Sequence, residues 1–195
     1  FSCKNDKLGD IAVSYLGDSA CEEGAVQESF NLASTLKLPI IFVVENNLFA
    51  SHMHIDQRQP HNSTARFAKA HGIPFKVIDG NNLTEIYKAS QNSVNHCREN
   101  NGPYFIEAMT YRWRGHVGPS EDTDVGVKRK DDLNTWKKRD PIRRLKDSLI
   151  NKNIFSESDF NEITKLIDKN LAEQWEKAKK SPYPSKKLLS KIVYK

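Results

Sequence analysis

Two hydrophobic periods alternate along this chain. Residues 11–16 (IAVSYL), 40–44 (IIFVV), 75–78 and 104–109 are short runs rich in β-branched and aromatic side chains, each followed by turn residues, and they predict strands. Between them, residues 25–36 place Val26, Phe30, Ala33 and Leu36 at helical spacing, and residues 83–97 do the same with Ile86, Ala89 and Val94. Ser63 and Thr64 stand as caps of a short helix through Arg66, Phe67 and Ala70, which Gly72 ends. Residues 48–62 form a long irregular segment at the end of the second strand, a place where loops are usually functional or mobile. The order strand, helix, strand, loop, helix, strand, helix, strand predicts an α/β fold, a mainly parallel sheet with helices on both faces. Past residue 128 the pattern is helical over 131–138, 142–150 and 157–180, with Pro141 suited to a first turn and Ser156 to an N-cap. The expected organisation is therefore an α/β domain over 1–127 and a helical C-terminal extension over 128–195 packing on it.

Parallel strands joined by a helix open their C-terminal ends on one edge, where α/β sheets bind ligands. The first strand ends at Gly17-Asp18-Ser19-Ala20 and the second at Glu45-Asn46-Asn47. Mg²⁺ takes oxygen ligands in octahedral array, usually one or two carboxylates with carbonyls, waters and substrate phosphates. Asp18, the Asn47 amide oxygen and a nearby backbone carbonyl meet that need, and a diphosphate would complete it, its charge offset by the cation and by the N-terminus of the helix after Asp18. Asp18 taken alone reads as a helix cap; with Asn47 at the matching strand end and the wider motif around both it reads as a metal ligand.

The stretch GDSACEEGAVQESFNLASTLKLPIIFVVENN resembles the thiamine diphosphate motif, which opens G-D-G-x-x-x-E-G and closes about thirty residues later with E-N-N. It looks like the alpha subunits of 2-oxo acid dehydrogenases, and the likeness resumes at Thr110-Tyr111-Arg112-Trp113-Arg114-Gly115-His116 and again at Asp140-Pro141-Ile142. The resemblance implies a thiamine diphosphate-binding fold, with Gly17, Asp18, Ser19, Ala20, Asn47, Phe49 and His116 at the cofactor. Asp18, Asn47 and the backbone carbonyl of Phe49 would be the Mg²⁺ ligands, and His116 would act beside the diphosphate and the reacting centre. It also implies oxidative decarboxylation of a small 2-oxo acid, a beta subunit completing the active site in an assembly of two alpha and two beta chains, and acyl transfer to a lipoyl acyltransferase. Family members carry a long N-terminal region before the first strand seen here, so the chain is expected to be a C-terminal part or one product of a split gene. Ser19 departs from the family's glycine, whose freedom permits a positive φ or close approach of the backbone to phosphate. Val117 stands where mitochondrial relatives carry a regulatory serine, and a valine offers no hydroxyl to phosphorylate. Two alternatives stay open: an acetoin dehydrogenase alpha subunit, and a non-catalytic interaction subunit that keeps the fold.

Composition narrows the rest. Cys3, Cys21 and Cys97 are an odd number without metal-ligand spacing, so they read as reduced thiols, and Cys21 as a packing residue. His52 and His54 alternate in a loop and read as polar or cofactor-flanking residues. Arg112 reads as the anchor of its loop, and Arg114 as a residue able to reach phosphate or an acidic substrate group. The formal net charge is +5, and basic character collects from Lys128 onward, where 19 basic residues meet 10 acidic ones. These charges interleave on helices without an aromatic strip, so a solvated surface or a protein partner is favoured over nucleic acid. With no secretory apolar core and no membrane-length run, the chain reads as soluble, in a bacterial cytoplasm or an organellar matrix, not secreted and without membrane contact.

Overall fold

The computed structural model describes residues 2–6, 9–122 and 129–188. The boundary expected at 127/128 lies outside the described residues, as does part of the loop expected before it. By internal packing the chain forms two compact units, residues 1–145 and 146–195.

The first unit opens with a short helix, α1 (Ser2–Asp6), and then β1 (Ala12–Gly17), α2 (Gly24–Thr35) and β2 (Ile40–Asn46). A small hairpin of β3 (Phe49–Ala50) and β4 (Met53–His54) follows, then α3 (Ala65–Ala70), β5 (Phe75–Asp79), α4 (Leu83–Arg98), β6 (Tyr104–Met109) and α5 (Lys130–Lys137). The main sheet has the order β1-β2-β6-β5, and every pairing in it is parallel. Right-handed crossovers explain the layering. The chain steps from β1 to β2 and from β2 out to β5 in one direction, so α2 and α3 lie on one face. It then steps back from β5 to β6, so α4 lies on the other.

Side-chain alternation gives each face its own core. Phe42, Val44 and Phe105 meet Phe30 and Ala33 of α2 and Ala68 of α3, with the Phe30 ring edge-on to Phe42 at 4.7 Å between centroids. On the opposite face Ile41, Ile78 and Ile106 meet Ala89 and Cys97 of α4. That face is open along β1, where Val13 and Tyr15 are exposed. A third cluster of Phe49, Tyr111 and Leu133 draws α5 beneath the C-terminal edge of the sheet, with Tyr111 stacked on Trp136.

The second unit receives the end of α6 (Pro141–Asn151) and holds α7 (Glu157–Lys180). Asp140 caps α6 by accepting the N–H groups of Ile142 and Arg143, leaving Pro141 in the first turn, where a missing N–H costs nothing. A capping box between Ser156 and Asp159 starts α7. No residue of α7 is buried; Ile163, Ile167, Leu171 and Trp175 recur on one stripe of it, all exposed. Among the described residues, no helix is long and apolar enough to cross a membrane.

Three local expectations change. Residues 48–62 are not wholly irregular, because they contain the β3–β4 hairpin and a 3-10 turn, Ile55–Gln57. Thr64 does not cap α3 through its side chain, whereas Ser63 Oγ accepts the Ala65 N–H at 3.3 Å; the Glu107 carboxylate of β6 adds to this cap, accepting from the Thr64 and Ala65 N–H groups and from both hydroxyls. A carboxylate is a stronger acceptor than a hydroxyl, so the stronger part of the cap comes from across the fold. Third, α2 does not follow directly on Asp18: a 3-10 turn, Ala20–Glu22, intervenes, and the N-cap position of α2 belongs to Glu23.

Candidate functional site

The parallel register that aligns Gly17 with Glu45 and Asn46 with Met109 brings the ends of β1, β2 and β6 together. Asp18 follows β1 directly and is 1% exposed. Its Oδ2 accepts from Arg58 Nη2 at 2.5 Å, while Oδ1 takes part in none of the described hydrogen bonds. Ser19 has φ of −73°, a conformation open to any residue, so the serine brings no backbone strain. Gly17 also lies outside the left-handed region, and a Cβ added there would meet nothing within 4 Å. Neither conformation nor packing within this chain calls for a glycine at that position. A ligand approaching the backbone closely would.

At the end of β2 the two asparagines divide their work. Asn46 is fully buried; its Nδ2 donates to Glu107 at 2.7 Å and to the Asn62 carbonyl at 2.8 Å, and its Oδ1 accepts the Leu48 N–H. Asn47 is half-buried, and its Oδ1 accepts the Phe49 N–H at 3.1 Å. Two successive Asx turns thus force the chain to reverse, and Leu48 takes a φ of +69°, unusual for a leucine. An amide oxygen has two lone pairs, so Asn47 keeps one for a further partner. Phe49 is fixed by its ring, which is buried edge-on to Tyr111 at 5.7 Å, so its backbone is held in place.

The loop after β6 meets this turn from the other side. Arg112 donates from Nη2 to the Ser51 carbonyl at 2.7 Å and from Nε to the Arg114 carbonyl, tying the two loops together. Burial and the neighbouring Arg129 charge draw the Arg112 guanidinium below its usual range, against the pull of the Asp122 and Asp18 charges. Arg114 is turned onto its own loop, donating to the Pro119 carbonyl. His116 is exposed, and its backbone N–H donates to Asp122 Oδ2 at 2.9 Å. Asp122, 5% exposed, is a hub that also accepts from Ser120 and lies 3.4 Å from His52 Nε2 and 3.5 Å from Arg112 Nη2. The His116 N–H, with the Ser120 hydroxyl and the neighbouring His52 and Arg112, holds its carboxyl below the usual carboxylate range despite burial. Gly115 is required by this hub, since a Cβ there would stand 2.5 Å from Asp122 Oδ1.

His52 and His54 diverge. His52 faces Asp122, whereas His54 pairs with Asp56 at 2.7 Å and lies edge-on to Phe49. Among the described residues no group of three or more His, Cys, Asp or Glu side chains is disposed to hold a metal, and the residues expected at the sheet edge offer the Asp18 carboxylate with neutral amide and carbonyl oxygens. That composition suits a hard cation sharing its coordination with phosphate, not a thiol- or imidazole-bound metal. Cys21 lies in the core, and burial, reinforced by the Glu107 and Asp18 charges, pushes its thiol up to about 12, so it is inert at neutral pH.

Glu107, Arg58 and Asp122 escaped the sequence reading. Glu107 had a visible signal, a charged residue at an inward position of an otherwise apolar strand. Arg58 meets Asp18 from 40 residues away, and Asp122 gathers partners that lie from 2 to 70 residues away, so neither follows a local period.

The sequence profile of the dehydrogenase E1 component family matches residues 1–187. The alpha subunit of the pyruvate dehydrogenase E1 component from Rhizobium meliloti is 31% identical over 176 residues, 90% of this chain and 50% of that protein. Its counterpart from Rickettsia bellii is 28% identical over 194 residues, all of this chain and 59% of that protein. The human mitochondrial 2-oxoisovalerate dehydrogenase subunit alpha is 31% identical over 195 residues, all of this chain and 43% of that protein. The chain spans about half the length of the curated relatives it matches.

Proposed function

This chain belongs to the dehydrogenase E1 component family, and from that premise we propose that it is the diphosphate-binding part of a 2-oxo acid dehydrogenase alpha subunit. The observation that carries the reading is the pairing of a buried Asp18, one oxygen of which takes part in none of the described hydrogen bonds, and the Asn46–Asn47 reversal at neighbouring strand ends. The donor chemistry there, and a Gly17 where an added Cβ would meet nothing within 4 Å, fit a magnesium diphosphate. Asp18, Asn47 and the Phe49 carbonyl would hold Mg²⁺, and the backbone over Gly17, Ser19 and Ala20 would receive the diphosphate. When bound, thiamine diphosphate supplies the electron sink for decarboxylating a 2-oxo acid.

The chain's own residues bind, orient and handle protons. Glu107 holds Asn46 and so fixes the turn that presents Asn47. Asp122 holds the backbone of His116, whose imidazole Nδ1 lies 3.5 Å from Arg112 Nη1 and which would donate a hydrogen bond or move a proton at the reacting centre. The acyl product passes to a lipoyl acyltransferase, and a beta subunit completes the active site. The apolar stripe of α7 and the open face at Val13 and Tyr15 support surfaces that other polypeptide covers. Pyruvate and branched-chain 2-oxo acids are the substrate classes suggested by the names of the relatives.

The test is calorimetric titration of thiamine diphosphate with Mg²⁺ into the natural full-length polypeptide and its partner subunit. Binding is expected to disappear with EDTA, and to weaken at least a hundredfold in the Asp18→Ala/Asn47→Ala double variant. Unchanged affinity in that variant sinks the metal assignment. A folded complex that binds nothing would favour a non-catalytic subunit that retains the fold.

A further inference from the structure

Arg58 is the residue at this edge that a metal site does not call for. Its side chain is 7% exposed, and its guanidinium bridges two acids, reaching Asp18 Oδ2 at 2.5 Å and Glu22 Oε1. The next residue repeats the pattern: Gln59 Nε2 donates to Glu22 Oε1 at 2.5 Å and to the Asp18 carbonyl at 3.4 Å, and Arg66 in turn holds Gln59 Oε1 at 3.0 Å. The end of the 3-10 turn Ile55–Gln57 is thereby clamped onto the turn after β1. Arg58 Nε is buried without a partner, so the guanidinium spends its fork entirely on the two carboxylates.

We infer that Arg58 is a resident cation of the metal carboxylate that makes the site select a metal–diphosphate complex over the bare divalent cation, an inference that rests on the function proposed above. A carboxylate can serve two cations at once, one on each oxygen, and among the described residues Asp18 accepts through Oδ2 alone. Burial and the second anchor at Glu22 hold the guanidinium where it is, so a metal binds beside it and not in its place. The consequence is electrostatic. Asp18 and Glu22 carry two negative charges, and Arg58 cancels one of them at contact distance. A bare Mg²⁺ or Mn²⁺ approaching Asp18 then meets a fixed positive charge that lowers its affinity, at the short range where Coulomb terms are largest. A diphosphate with its metal is anionic and gains from the same charge. Arg58 therefore couples the uptake of metal to the uptake of diphosphate.

The experiment compares two bindings in the natural full-length polypeptide with its partner: Mn²⁺ alone, read by electron paramagnetic resonance, and thiamine diphosphate with Mg²⁺, read by calorimetry. In Arg58→Met the two affinities are expected to move in opposite directions, Mn²⁺ alone tightening at least threefold and the diphosphate complex weakening at least tenfold. Arg58→Lys keeps the charge and should return most of the difference. If both affinities weaken together in Arg58→Met, the residue only holds the loop and the inference falls. If both tighten, Arg58 is a competitor that metal must displace, which also overturns it. Wild-type protein that binds neither probe overturns the proposed function as well, an outcome distinct from either variant pattern.

Discussion

Two carboxylates are buried near the same sheet edge, and they are treated in opposite ways. Glu107, in the middle of β6, is wholly buried and receives the Asn46 amide, the Ser63 and Thr64 hydroxyls and two backbone N–H groups, all uncharged donors. Asp18, just past the end of β1, is almost as buried, but among the described residues its carboxylate has a single hydrogen-bond partner, a guanidinium on one oxygen. Burying an ionised group is costly unless its lone pairs are met, so a saturated carboxylate is a structural fastening, whereas a half-met one at a strand end has capacity left for a ligand. Position decides which is which. Inside a strand, neighbouring elements supply donors from both sides, while past the strand end one side faces the crevice.

The largest effect that would sharpen this contrast is at Glu107. Glu107→Ala is expected to lower stability by about 3–5 kcal/mol in urea titration, because the buried donors it serves lose their acceptor. Asp18→Asn should cost only about 1–2 kcal/mol, since Arg58 keeps Glu22 and the amide still offers an oxygen. Equal losses in the two variants would break the distinction.

A third acid, Asp79, sharpens it from the surface. Burial raises its carboxyl, but the Asn81 N–H and the Arg144 and Arg139 guanidiniums outweigh that and hold it below the usual range. A depressed folded-state pKa gives stability that is present above the unfolded value of about 3.9 and lost as pH falls through the folded one. Asp79→Asn should therefore cost about 1 kcal/mol at pH 7, the gap to wild type closing below about pH 4. A gap that persists in acid would mean that the carboxylate charge contributes nothing.

The smallest effect is kinetic. Burial raises the Cys97 thiol to about 11 and, with nearby carboxylates, the Cys21 thiol to about 12. Labelling with a thiol reagent at pH 8 should reach Cys3 first and the other two only on unfolding, by mass spectrometry of the labelled peptides. Rapid labelling of Cys21 would show that the turn after β1 opens, and the rigid Asp18–Arg58 clamp would then be wrong.

Much of this molecule is written in local pattern. Runs of β-branched residues with period two, helices with period 3.6 and turn residues between them determined the four main strands and every helix after the short α1, because backbone propensity and one-sided burial act over a few residues. The strand ends at Asp18 and Asn47 followed from that alternation, since parallel strands must finish on one edge. Tertiary structure alone decided who meets whom there. That Glu107 caps α3, that Arg58 clamps Asp18 and Glu22, and that Asp122 gathers His52, Arg112 and the His116 backbone are outcomes of loops folding onto one another. Charge pairing has no period along a chain. Its partners are chosen by distance and dielectric in the folded state, which is why the edge was legible in the sequence and its wiring was not.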